Sequence, residues 1–171
     1  MADGGRRSVH NAEEMLEKYS ATVYRIAYLR TGNVHDAEDV MQDVFVRYIK
    51  NAPVFENEAH EKAWFIRTTV NRTKSLFGSA FRRRTIPLDS DIGYNEEFYE
   101  GGGLVSELKK LPPDMQTAIH LYYYEDMSVD EAATAMGKSV SAVKSLLFRG
   151  RKALKVQLGG GTEDRKDDDS V

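Results

Sequence analysis

Apolar residues recur at helical spacing over most of the chain. Val129, Ala132, Ala133 and Met136 fall at i, i+3, i+4 and i+7, which gives a short helix one buried stripe. Ser128 stands ahead of it with Glu131 three residues on, the pairing of a capping box, and Gly137 follows its last apolar residue as a stop. Ser139 then offers a cap for a second helix, whose inward stripe is Val140, Val143, Leu147, Gly150 and Leu154. A third striped segment, Met115, Ala118, Ile119 and Tyr122, precedes the pair. In the first half the clearest stripe is Ala37, Val40, Met41, Val44, Phe45 and Tyr48, which leaves Glu38, Asp39, Gln42, Asp43 and Val46 projecting outward. Gly32 closes the helix before this one, the Asn51 to Asn57 stretch with Pro53 closes this one, and a third begins near Glu58.

The pattern predicts an all-α protein of two small helical domains, residues 12–84 and 104–158. Between Thr85 and Gly103 no helical period is sustained; Pro87, five acids (Asp89, Asp91, Glu96, Glu97 and Glu100) and the Gly101 to Gly103 run predict a flexible acidic linker. Residues 1–11, and 159–171 with their glycines and polar tail, are expected to be unstructured.

Composition narrows the function classes. The 171 residues, 41% apolar and 30% charged, are ordinary for soluble proteins. Apolar runs fall far short of the roughly 20 residues of a spanning helix, and no apolar core follows Arg6 and Arg7, so membrane insertion and secretion are not expected and the cytoplasm is. Zero cysteines exclude disulfides and cysteine-ligated zinc. His10, His35, His60 and His120 lack metal-ligand spacing and a partnered nucleophile, and no phosphate loop or catalytic signature is present. Neither catalysis nor a cofactor or metal is expected.

The net charge of −3 hides a segregation. Lys62 to Arg84 carries seven basic residues and Lys138 to Lys155 six, neither with an acid; together they hold thirteen of the 24 Lys and Arg. On the last helix compact Ser141, Ala142 and Ser145 come early, and Lys144, Phe148, Arg149, Arg151 and Lys152 lie on or beside the same outer side. That order suits a recognition helix, with small side chains for base edges and cations for phosphates. Two capped helices joined by a short turn, with a third ahead, favour a helix-turn-helix over an ordinary solvated surface. Helix three interleaves Trp64, Phe65 and Phe77, with Phe81 beyond, among Arg67, Asn71, Arg72, Lys74 and Arg82 to Arg84, which suits single-stranded nucleic acid, although Trp64 equally suits a core. On helix two, Asp36, Glu38 and Asp39 fit the helix dipole; Gln42 and Asp43 lie beyond the first turn, and with Val46 they fit a protein docking face or plain solvation.

Several motifs agree in order. Asp36-Ala37-Glu38-Asp39-Val40-Met41-Gln42-Asp43-Val44-Phe45, Ala63-Trp64-Phe65-Ile66-Arg67 with Asn71, Leu111-Pro112, Tyr122-Tyr123-Tyr124-Glu125 and Val143-Lys144-Ser145 resemble the extracytoplasmic-function sigma factors of bacterial RNA polymerase, over about Ala12 to Leu158. The resemblance implies sigma region 2 in the first domain, a region 4 helix-turn-helix in the second, and no middle domain. It implies that Asp39, Gln42, Asp43 and Val46 bind core polymerase, and that Phe55, Glu56, Asn57, Arg67, Asn71 and Lys74 act at a melted −10 element. Ser139, Ser141, Ala142, Lys144, Ser145, Phe148, Arg149 and Arg151 would meet a double-stranded −35 element. An anti-sigma factor is a further implied partner, and the acidic linker would thread the polymerase channels. The chain departs from the family's usual residues at Ser75, Lys138, Ala142 and Leu146. A stand-alone helix-turn-helix regulator and a helical adaptor for acidic proteins are the rival readings.

Overall fold

Gly32, at φ +80°, turns the chain after the 28 residues of α1 (Gly4–Thr31), its N–H donating to the Tyr28 carbonyl at 2.8 Å. Glycine takes that left-handed conformation without the clash of a Cβ. In the computed structural model, the backbone is described for residues 4–51, 53–83 and 103–157, and the side chains for 12–51, 53–76 and 106–157. Residues 4–11 belong to α1 and are not the unstructured start that their composition suggests. Their glycines stand at the very end of the helix, so nothing stops an established helix from propagating upstream. Residues 84–102, which hold all of the expected linker 85–103 except Gly103, and residues 158–171, which hold the expected tail 159–171, lie outside the described residues.

The chain forms two units, divided at Asp91 and Ile92, inside the span expected to be the linker. In the first, α2 (Val34–Asn51) starts at Asn33, whose Oδ1 accepts the Asp36 N–H at 2.8 Å while its Nδ2 donates to the Asp36 carboxylate at 2.8 Å. The third helix, α3 (Glu58–Arg83), starts at Asn57, whose Oδ1 accepts the His60 N–H at 2.8 Å. Such caps satisfy N–H groups that a helix start leaves without partners. All three helices pack pairwise around Val23, Ile26, Val40, Val44, Phe65, Ile66 and Val70, each almost fully buried. Tyr19 and Phe65 stack at 4.6 Å, and Phe45, Tyr48, Phe55 and Trp64 complete an aromatic cluster on Phe65. Phe65 is therefore core and not a platform for bases. Arg30, also buried, donates from Nε to the Thr73 hydroxyl at 2.7 Å, tying the end of α1 to α3.

The second unit comprises α4 (Gly103–Lys109), α5 (Pro113–Tyr123), α6 (Val129–Met136) and α7 (Val140–Gln157). Its first helix has seven residues, too few to display a period in the sequence. In α5 the run Gln116 to Leu121 is buried all round, wider than the expected stripe, because this helix packs against both α6 and α7. Its buried Gln116 finds a partner in the Leu108 carbonyl, at 2.8 Å. The capping box forms as expected: Ser128 Oγ accepts the Glu131 N–H at 3.1 Å, and the Ser128 N–H donates to the Glu131 carboxylate at 3.2 Å. Gly137 ends α6 at φ +65°, ψ +35°, and Ser139 Oγ accepts the Ala142 N–H at 3.1 Å to open α7. Val140 is 37% exposed and does not join the inward stripe. The buried arc is centred on Val143 and Leu147 and spreads towards Leu146, which leaves Val140 on its opposite margin.

Candidate protein and nucleic-acid interfaces

Three exposed faces follow from these helices, one on each of α2, α3 and α7. Burial of Ala37, Val40, Val44, Phe45 and Tyr48 turns the opposite side of α2 to solvent. Asp39 and Gln42 are exposed there, with Val46 at 43% and Ile49 at 45%. Ile49 extends the apolar part of this face; it lies one turn beyond Val46, and its spacing alone would have found it. His35 Nε2 sits 3.5 Å from Asp39 Oδ2, an exposed i,i+4 pair. Asp43 differs from Asp39: its carboxylate is ion-paired with Arg72 of α3.

Along α3, Arg67, Asn71 and Lys74 are all exposed and stand at i, i+4 and i+7, so one strip of the helix carries them. The loop ahead of this helix is ordered by it. Glu56 donates its N–H to His60 Nδ1 at 3.2 Å, and Asn57 serves as the cap. Phe55 is half-buried, edge-on to His60 at 5.5 Å and to Trp64 at 6.0 Å, and stacked on Tyr48 at 6.5 Å. Glu56 and Asn57 are exposed, and Phe55 presents only part of its ring. The side chains of Phe77, Phe81 and Arg82 to Arg84 lie outside the described residues.

A second network anchors the first turn of α3 to α1. Glu61 Oε1 accepts from the Tyr19 hydroxyl at 2.7 Å and from Lys18 Nζ at 3.0 Å, and Lys18 also meets Glu58 at 3.0 Å. Burial, reinforced by the Glu61 hydrogen bond, pushes the Tyr19 phenol well above its ordinary value. Hydrogen bonds to Glu61 and Glu58 hold Lys18 more firmly protonated than usual. Tyr48 is raised by burial, with Glu61 and Glu14 adding to the effect.

On α7, burial of Val143, Leu146, Leu147 and Gly150 exposes Ser141, Lys144, Ser145, Phe148, Arg149 and Lys152. Phe148 is 64% exposed, an aromatic ring standing in a basic, acid-free surface. Ser139 Oγ is occupied with the cap and lies 3.3 Å from Ser141 Oγ, while Ala142 is half-buried. Arg151 is half-buried and donates to the Tyr123 hydroxyl at 3.1 Å, which braces α7 against α5. Lys138, in the turn, reaches back to Asp114 at 3.2 Å. Both bonds fix the angle at which the exposed face of α7 is presented.

Among the described residues no group of three or more His, Asp or Glu is placed to hold a metal ion, and no helix is long and apolar enough to cross a membrane. His120 is fully buried, 3.2 Å from the Glu125 carboxylate and stacked on Tyr124, a packed histidine inside the second unit.

Comparison with known families places both units. Sigma-70 region 2 matches residues 15–84, and Sigma-70 region 4 matches residues 103–154. The chain belongs to the sigma-70 family. The extracytoplasmic-function sigma factor SigE of Mycolicibacterium smegmatis is 30% identical over 169 residues, which is 90% of this sigma-family chain and 64% of the relative. BldN of Streptomyces coelicolor is 27% identical, covering 82% of the chain and 57% of BldN, so the chain spans about three fifths of these two relatives. SigW of Bacillus subtilis, 26% identical, is covered over 87% of its length. Two solved structures share the fold: RpoE of Bartonella quintana, in complex with the anti-sigma factor NepR (TM-score 0.71, 20% identity, 85% of this chain and 95% of that one), and CnrH, in complex with the cytosolic domain of CnrY (TM-score 0.66, 24% identity, 92% and 93%).

Proposed function

We propose that this sigma-family chain is a promoter-specificity subunit. It binds core RNA polymerase, recognises −35 and −10 elements, helps to open promoter DNA and directs transcription initiation in the cytoplasm. The observation that carries the reading is one chain holding a region 2 unit and a region 4 unit in order, each with an exposed charged face. Asp39, Gln42, Val46 and Ile49 form the surface offered to the polymerase. Arg67, Asn71 and Lys74, with the ordered Phe55 to Asn57 loop, meet the −10 element. There the cost of unstacking, a few kcal/mol, is offset by neutralised phosphates and pocket contacts. Ser141, Lys144, Ser145, Phe148 and Arg149 meet the −35 element in the major groove. The chain contributes no catalysis; the polymerase makes the transcript. An anti-sigma factor is a partner in this reading, since a relative of the same fold is found with one.

Run-off transcription with purified core polymerase tests the proposal. Promoter-specific product is expected only when both are present, and Asp39→Arg should weaken core binding. A stand-alone regulator would instead shift its operator without polymerase, and absence of any promoter-dependent product would refute the specificity-subunit reading.

A further inference from the structure

His60 meets each of the three loop residues on which the −10 reading relies. Its own N–H donates to Asn57 Oδ1 at 2.8 Å, its ring Nδ1 accepts the Glu56 N–H at 3.2 Å, and the ring stands edge-on to Phe55 with centroids 5.5 Å apart. A backbone N–H can only donate, so Nδ1 must be unprotonated and the ring proton sits on Nε2. The start of α3 does not need this ring. Asn57 already caps the helix through its side chain, and its carbonyl accepts the Glu61 N–H at 3.1 Å. With Asn57 as the cap, His60 is the third residue of the helix, and in a capping box a side chain at that position returns to the N–H of the cap itself. Here it reaches one residue further out, into the loop. Phe55 is also held by Tyr48 and Trp64, whereas Val54 beside it is 89% exposed.

We propose that His60 is a positioning residue for promoter opening, which acts through the loop and not on the DNA: its imidazole holds the Glu56 N–H and the Phe55 ring, so the loop is already shaped when the −10 bases reach it. The inference rests on the reading that the Phe55 to Asn57 loop meets the −10 element. Two physical arguments support it. A short loop whose backbone is fixed in advance need not be ordered at the moment it captures a base, and that ordering would otherwise subtract from the contacts made. The bond also turns the Glu56 N–H onto the protein, so the exposed Glu56 and Asn57 are presented on a backbone that does not wander. His60 is itself exposed and stands outside the buried core, so the first unit does not depend on its ring to fold.

The test uses the full chain with core polymerase, on a promoter that gives run-off product. Opening is read by 2-aminopurine fluorescence at the −10 element, core affinity by anisotropy of the labelled chain, and stability of the first unit by the urea transition of Trp64. His60→Ala should slow opening by about three- to tenfold, the range for one hydrogen bond of ordinary net strength, with core affinity within about twofold. Two further substitutions separate the shape of the loop from the stability of the helix. Asparagine puts its Oδ1 in the place of Nδ1, so His60→Asn should open within about twofold of the parent chain. Glutamine carries its oxygen one bond further and completes an ordinary capping box on Asn57, so His60→Gln should keep the urea midpoint and still open as slowly as His60→Ala. Opening by His60→Gln at the parent rate, or by His60→Ala within about twofold of it, would overturn the proposal, as would a His60→Asn chain as slow as His60→Ala. The loop reading is tested separately by Val54→p-benzoylphenylalanine, which should crosslink to −10 bases in the open complex. Absence of that crosslink would remove the loop reading and the proposal with it; a crosslink together with an unslowed His60→Ala chain would refute the proposal and leave the reading standing.

Discussion

Replacing Gly150 by alanine puts a methyl carbon where α5 and α7 leave no room for one. A Cβ at this position lies 2.6 Å from Ile119 Cδ1 and 3.3 Å from Ile119 Cγ1, well inside the ordinary contact distance of about 3.5–4.0 Å. Ile119 is itself buried, so its side chain has no open solvent to swing into. Overpacking of this kind costs about 1–3 kcal/mol. Alanine gains about 1 kcal/mol over glycine in a helix interior, which offsets part of that cost. The net expectation is a loss of about 1 kcal/mol from the second unit, or about 1 M in urea midpoint for a unit of this size. The partner substitution isolates the cause. Ile119→Val removes Cδ1 and alone costs about 1 kcal/mol; combined with Gly150→Ala it relieves the conflict, so the double variant should be more stable than the sum of the two single losses by about 1 kcal/mol. Urea unfolding followed by circular dichroism, with hydrogen exchange over α5 and α7, reads the second unit. Trp64, the only tryptophan, sits in the first unit, so its fluorescence transition should not move. A Gly150→Ala chain more stable than the parent, or strict additivity with Ile119→Val, would refute the close-approach argument.

Ser128→Ala removes one half of the capping box and should destabilise the second unit by about 1 kcal/mol, measured in the same urea experiment. Tyr19 and Tyr48 keep their protons above the ordinary phenol value of about 10, and Lys18 shifts in the same direction, so the folded first unit binds these protons more tightly than the unfolded chain. Their contribution is therefore fully present below about pH 10 and is lost as pH rises beyond it; Trp64-monitored unfolding should weaken there, and Tyr19→Phe should flatten the decline. Charge reversal at both Lys144 and Arg149 to Glu should cut −35-dependent transcription by at least about tenfold and leave core affinity within about twofold, because two phosphate-facing cations become repulsive. Unchanged promoter output would place the DNA face elsewhere.

Local chemistry made much of the fold legible. The capping box at Ser128 and Glu131, the left-handed stop at Gly137 and the stripe of α2 each depend on residues within a turn or two of one another, and each stands where spacing puts it. Pairings between helices left no such trace. Nothing in the sequence joins Tyr19 to Glu61, 42 residues on, or Asp43 to Arg72, and nothing there shows that Gly150 is required by Ile119. Phe55 and Asn57 show the same boundary in the candidate site. Their positions ahead of α3 are plain in the sequence, but a cap and an aromatic cluster already occupy part of what each could offer to DNA.

If the chain is the promoter-specificity subunit proposed above, the distribution of charge explains why it would need the polymerase. In that reading the exposed cations of α7, Lys144, Arg149, Lys152 and Lys155, would neutralise at most about four phosphates, a salt slope of about −3 to −4, which by itself supports only weak association at physiological salt. The chain as a whole carries a charge of −3, so its net charge adds no attraction to DNA beyond that of the basic faces. Two weak faces on one polymerase act differently. Once the first is engaged, the second meets its element at an effective concentration in the millimolar range, and overall affinity rises by about 10²- to 10⁴-fold without a new contact. Under the proposed function, a chain with more basic faces would occupy promoters before the enzyme arrived and block them, whereas modest faces on an acidic body would bind where the polymerase can act.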